Sequence, residues 1–256
     1  MYGPYESYYK NGQLGSKGNY KDGGNGYFRD GLWEWYHDNG QLETKGNYKK
    51  GTEDGLWEFY YYDGSLLKKE NLKDGVWHGP FETYHANGQL ANRTNYKDGK
   101  LDGLSESFHK NGQLDSRTKF KNGQMMDGHY KEEFHENGQL CERRHYKNGN
   151  LVGLFEMFYK NGQLEERVNY KNGKQHGLQE DFNENGQLLT RENFKNGKKV
   201  GLWESYYTDG QFRRRENYKD GKREGLWEYL DERGERTRGF GCFKNDKEVD
   251  MSYCEK

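Results

Sequence analysis

Aliphatic residues are scarce in this chain. Hydrophobic types make up 30% of the sequence, charged types 32%, and mean hydropathy is −1.43. Bulk composition of that kind sits near disorder, because little apolar surface is available to offset chain entropy. No stretch approaches the ~18 apolar residues of a membrane helix, and no apolar secretory run follows Met1. Net charge is lacking too: 41 Lys+Arg against 42 Asp+Glu leave −1. A balanced chain argues against nucleic acid, which needs a concentrated basic footprint, and does not favour contact with anionic lipid. The short basic runs at Lys198-Lys199 and Arg213-Arg214-Arg215 read as solvated strand edges. Cysteine is limited to Cys141, Cys242 and Cys254, an odd number without CxxC spacing. These read as free thiols in a reducing compartment, with a Cys242–Cys254 bridge as the alternative. The expected location is accordingly cytoplasmic; since the pattern below starts at Gly3, export or envelope anchoring by an upstream segment is the alternative.

What is present is repetition. The tetrapeptide NGQL or a variant occurs ten times, at Asn11, Asn39, Asp63, Asn87, Asn111, Asn137, Asn161, Asn185, Asp209 and the degraded Arg233. Successive starts are 28, 24, 24, 24, 26, 24, 24, 24 and 24 residues apart. A fixed period in this range marks an array whose units must stack to bury their apolar faces. Forty-one aromatics (Tyr 22, Phe 13, Trp 6) replace the missing aliphatics, and 36 glycines supply turns.

Asn-Gly between alternating runs predicts a β-hairpin with a two-residue type I′ turn. Counting from the turn Asn, Glu stands five before it in every copy, from Glu6 to Glu228, and Lys or Arg stands six after it, from Lys17 to Arg215. The register that follows places these charges opposite one another, Glu58 facing Lys69 and Glu156 facing Arg167. Each such pair contributes roughly 0.2–1 kcal/mol. The same register sets the first glycine of a repeat (Gly31, Gly55, Gly79) opposite a position that is usually aromatic (Tyr48, Leu72, Tyr96), read as a ring covering a glycine. Alternation puts Leu32, the Glu–Lys/Arg ladder and Tyr36 on one face, and Trp33, the Leu of NGQL and the covering ring on the other. The expected fold is all-β: an elongated, single-layer, solenoid-like array of about ten antiparallel hairpins over 1–240, followed by a capping segment over 241–256. At about 4.8 Å per strand the array would span on the order of 100 Å.

The 26-residue gap holds Met125-Met126 and places Gly128 nine rather than eight before Asn137. Either a loop lengthened and His129 replaced the glycine, or a β-bulge opens the strand. His85, His109 and His135 recur at one position, but equivalent sites lie about 10 Å apart and cannot share a metal. No metal or cofactor is expected. A P-loop, GxGxxG or Ser/His/Asp pattern is absent from the sequence, the repeated Glu are matched to bases, and no enzymatic activity is expected.

The repeat at Gly31-Leu32-Trp33-Glu34, Gly55-Leu56-Trp57-Glu58, Gly201-Leu202-Trp203-Glu204 and Gly225-Leu226-Trp227-Glu228, with Asn-Gly-Gln-Leu and Asn-Tyr-Lys-x-Gly, resembles the variant MORN repeat and, among such proteins, the bacterial YwqK-type antitoxin family. It departs at Gly103-Leu104-Ser105-Glu106 and Gly177-Leu178-Gln179-Glu180, where the ring is lost. The resemblance implies a hairpin array without catalysis and a protein partner, a toxin in the antitoxin reading; a structural or membrane-proximal scaffold, or recognition in host interaction, is the alternative. In the middle of the array the Trp face turns polar at Ser105, Ser107, His109, Glu133, His135, Gln179, Asp181 and Asn183, beside Met125 and Met126. Rings abandoned at the expense of stability mark a candidate partner-binding stretch.

Overall fold

A computed structural model describes residues 3–237 and 240–255. It divides into two compact units, Met1–Met126 and Asp127–Lys256. Among the described residues every regular element is a strand except one 3-10 turn at Met251–Tyr253. Within each unit the strands pair antiparallel with their sequence neighbours, so each is an open sheet of successive hairpins.

The expected register is observed: Glu58 pairs with Lys69, Glu156 with Arg167, Gly31 with Tyr48 and Gly55 with Leu72. The turn that produces it is not the expected one. At Lys10-Asn11-Gly12 only the glycine has positive φ (85°), Gly12 N–H donates to the Tyr9 carbonyl (2.9 Å), and Tyr9 N–H to that of Gln13 (2.8 Å). This is a three-residue loop, which by itself shifts the pairing by one. A β-bulge compensates: Ser7 pairs with Ser16 but Tyr8 with Leu14, leaving Gly15 extra. The bulge also corrects the face of the NGQL leucine. Directly paired with Tyr8, Leu14 shares the ladder face and not the tryptophan face.

The two-residue type I′ turns lie instead at the other end of the hairpins, in the Lys-x-Gly motif of every repeat from the second to the ninth. Lys50-Gly51 has φ of 51° and 84°, Asp74-Gly75 50° and 76°, and Asn172-Gly173 51° and 73°. Positive φ at both central residues is what that turn requires. An aspartate of the same sheet holds several of these turns, Asp30 Oδ1 accepting from Lys50 N–H (3.2 Å) and Asp127 Oδ1 from Asn148 N–H (2.7 Å). Around the insertion Gly128 keeps positive φ (78°) and the strand starts at Tyr130, opposite His145, so His129 is an extra residue.

The ring-over-glycine reading of Gly31 and Gly55 is also corrected. Open space surrounds the Cβ position of both, and their φ of 78° and 91° explains the glycine. Rings do cover glycine elsewhere: a Cβ on Gly18 or Gly46 would overlap the Trp33 or Trp57 indole. Burial concentrates on this face. Trp33 is 1% exposed, enclosed by Tyr5, Tyr20, Trp35 and Tyr48 at centroid distances of 5.0–6.4 Å and by the Arg29 guanidinium at 4.6 Å. In the second unit Trp203 lies between Phe194 (5.2 Å) and Tyr218 (5.1 Å), and Trp227 between Tyr218 (5.3 Å) and Phe243 (5.2 Å).

Phe243 belongs to the segment expected to cap the array. Gly241–Lys244 pairs with Gly225–Trp227 as the return strand of the tenth repeat, and Lys247–Val249 adds another strand. Cys242 and Cys254 form a disulfide, which overturns their reading as free thiols; Cys141 is free. The short spacing that concealed the pair is 12 residues spanned by a hairpin, which returns the chain to its starting strand.

Candidate interaction surface

On the opposite face, Glu58 and Glu180 of the ladder each serve two repeats. Glu58 meets Lys69 of its own hairpin (3.2 Å) and Lys45 of the preceding one (2.6 Å), and Glu180, 1% exposed, lies between Arg167 and Arg191. Burial alone would raise the Glu58 carboxyl, but the two lysines outweigh it and hold the carboxyl below its ordinary value. These charges are committed to the fold.

The turn residues are likewise committed. Asn11 Oδ1 accepts from Gln13 N–H (3.0 Å) while its Nδ2 donates to the Asp38 carbonyl of the next repeat (2.7 Å); Asn87 to Lys110 and Asn161 to Glu184 repeat this stitch. Two positions earlier the ring nitrogens of His85 and His135 contact the carbonyls of Phe108 (2.8 Å) and Phe158 (2.7 Å), as the Tyr159 hydroxyl contacts that of Phe182 (2.9 Å). A polar flat side chain at this position therefore ties one hairpin to the next.

The tryptophan face is where the repeats differ. Two cross-strand rows run along it. The inner row carries the tryptophans; in the first unit it holds Trp33, Gly46, Trp57, Glu70 and Phe81. The outer row of the first unit runs through Ser16, Trp35, Thr44, Phe59, Lys68 and Thr83, then Asn92, Ser107 and Ser116; it contains no carboxylate. In the second unit the same row begins Glu133, Glu142, Met157. It continues Glu166, Asp181, Thr190, Ser205, Arg214, Tyr229. Burial, then the Asp181 and Glu165 charges, raise the Glu166 carboxyl above its ordinary value. Burial and Asp181 also raise Glu192 in the inner row, against the pull of Lys199 and Arg214.

The sequence-predicted residues fall into separate groups. In the first unit Ser107 shares hydrogen bonds with Ser116 and Asp115 (both 2.7 Å), His109 lies 3.5 Å from Asp115, and Ser105 pairs with Thr118 in the inner row. Met125 pairs with Phe120, and Met126 donates its N–H to the Lys119 carbonyl. In the second unit Glu133 accepts from Lys131 (2.8 Å), Gln179 donates to Glu166 (2.9 Å), and Asp181 accepts from Thr190. Asn183 folds back on its own turn through Gln187, as His135 reaches the next repeat. Sequence reasoning missed Glu142, Glu166, Ser205 and Arg214, which join Asp181 only once the bulge and the pairing between successive hairpins are known. Among the described residues no cluster of three or more His, Cys, Asp or Glu forms a metal site, and no helix is long and apolar enough to cross a membrane.

This arrangement of hairpin repeats coincides with a known sequence pattern. Nine stretches, 1–22, 29–50, 53–74, 77–98, 101–122, 126–148, 151–172, 175–196 and 199–220, match the MORN repeat variant family, and the chain belongs to it. No curated protein matches the chain. Among solved structures it is similar to the TcdB2-TccC3 crystal structure, at 15% identity over 90% of this chain and 15% of that one, with a TM-score of 0.22. The Photorhabdus luminescens Tc holotoxin pore with mutated TccC3 gives 14% identity over 93% and 14%, also at 0.22. The chain thus spans about 15% of the length of these proteins, and a TM-score this low carries no argument for it.

Proposed function

We propose that the protein is a non-catalytic protein-binding module whose tryptophan face meets the partner, and that it acts as an antitoxin or immunity protein by steric occlusion. The observation that carries the reading is the division of labour between faces. Ladder charges and turn amides bridge successive repeats, whereas the outer row of the tryptophan face changes from hydroxyl and aromatic in the first unit to acidic in the second. Residues that break a repeat's own stabilising rule are those expected to serve function. Membership of the MORN repeat variant family supports a binding module. The Cys242–Cys254 disulfide supports an oxidising compartment in place of the cytoplasm.

The test is isolation of the tagged full chain from its own cell. The reading expects one protein in stoichiometric amount, and growth inhibition by that protein when expressed without this chain. A chain that elutes alone refutes the binding role; a harmless stoichiometric partner refutes the antitoxin role.

A further inference from the structure

Two hollows lie side by side on the tryptophan face of the second unit. One, of ≈ 380 Å³, is lined by Met157, Glu165, Glu166, Asp181 and Leu189 among others. The other, of ≈ 370 Å³, is lined by Leu189, Thr190, Ser205, Tyr207, Arg213 and Arg214 among others. Leu189 belongs to both, so they form one groove. Leu189 is the extra residue of a β-bulge, since Asp181 pairs with Thr190 but Phe182 with Leu188, and bulges re-aim side chains.

The groove has a direction. Its residues Glu166, Asp181, Thr190, Ser205 and Arg214 are consecutive partners across five strands: two acids, two hydroxyls, one guanidinium. Arg213, exposed, adds a second cation at the same end. At its centre is an independent anomaly. Ser205 is 4% exposed and its hydroxyl has no hydrogen-bond partner. Leaving a buried polar group unmatched is unfavourable, so a group placed there is poised for an external partner.

We infer that this groove binds an extended peptide segment of a protein partner, laid across the strands with a basic side chain on Glu166–Asp181, apolar side chains on Leu189, and an acidic side chain on Arg213–Arg214. The inference rests on the protein-binding reading and specifies its site. Spacing defines the segment. Four strand separations of about 4.8 Å give roughly 19 Å between Glu166 and Arg214. An extended chain rises about 3.3 Å per residue and returns side chains to one face every second residue, so the opposite charges should stand six apart, with apolar residues two and four after the first. Either charge alone would be repelled at one end of the groove.

The probe is acetyl-Thr-Lys-Thr-Val-Thr-Val-Thr-Glu-Thr-amide, titrated against the full chain by isothermal titration calorimetry alongside an all-basic peptide (Glu replaced by Lys) and an all-acidic one (Lys replaced by Glu). The mixed peptide should bind about tenfold more tightly than either control, the scale of two partly exposed charge pairs. Arg213→Glu should reverse the order in favour of the all-basic peptide. Ser205→Ala should leave the thermal midpoint unlowered, having removed an unmatched group, yet weaken the mixed peptide severalfold. Equal affinity for the three peptides, no binding up to about 1 mM, or an unchanged order of preference in Arg213→Glu overturns the inference. A chain that binds none of these peptides but retains a stoichiometric cellular partner refutes the groove alone and leaves the broader binding role standing.

Discussion

A tryptophan side chain in a one-sheet unit has no opposing layer, so its cover must come from adjacent strands. Trp57 meets this by lying over Gly46 and against Trp35 and Tyr48, at 5.7 and 5.2 Å. Trp57→Ala should therefore cost about 3–5 kcal/mol despite the absence of a sandwich core. Gly46→Val should also destabilise, because the new side chain displaces the indole. Thermal unfolding of both variants checks this; wild-type midpoints would mean that the rings are not the core. Glu166 provides an opposite case. Its raised carboxyl pKa means that the folded state holds the proton more tightly, so ionisation penalises folding above the folded pKa, and the penalty fades as pH falls to the ordinary value of 4.5. Glu166→Gln should raise the thermal midpoint at about pH 7 and leave it unchanged near pH 4. Equal shifts at both pH values would contradict burial and the Asp181 charge as the cause.

At the scale of the hairpin, two errors of one residue cancel. The Glu and Lys/Arg positions revealed the pairing correctly although the turn type assigned to Asn11-Gly12 was wrong, because the three-residue loop and the bulge at Gly15 displace the register in opposite directions. What the cancellation hides is the side of the sheet on which Leu14 falls, and hence the groove that the equivalent bulge residue Leu189 lines. The type I′ turns were visible as Asp74-Gly75 and Asn172-Gly173, an equally strong signal masked by the louder NGQL. The conserved chemistry within the chain's own repeats follows from stitching: Asn87 both accepts and donates, whereas Asp63 accepts from Ser65 but has no amide to donate. Asn87→Asp should thus cost about 0.5–1.5 kcal/mol, while Asp63→Asn should gain stability. A stabilised Asn87→Asp chain by denaturant titration would remove the stitch from the account.

Across the whole chain, the two sheets share one repeat but differ in what the outer row presents. The ladder of Glu58 and Glu180, readable from spacing, reports what the repeats have in common; the acids at Glu142, Glu166 and Asp181 report what they do not, and they line up only when successive hairpins are placed in register. The disulfide was legible only as an alternative, because twelve residues of irregular sequence gave no sign of the returning strand. Alkylation of the unreduced chain should modify Cys141 only, with Cys242 and Cys254 reacting after reduction. The central claim, that a protein partner meets the tryptophan face and not the ladder face, is tested most directly by site-specific photo-crosslinking in the native cell. A benzophenone amino acid replacing Leu189 in the groove should yield one discrete crosslinked protein, and the same group replacing Leu202, exposed on the ladder face, should yield none. Crosslinking from position 202 with none from position 189 would contradict the account.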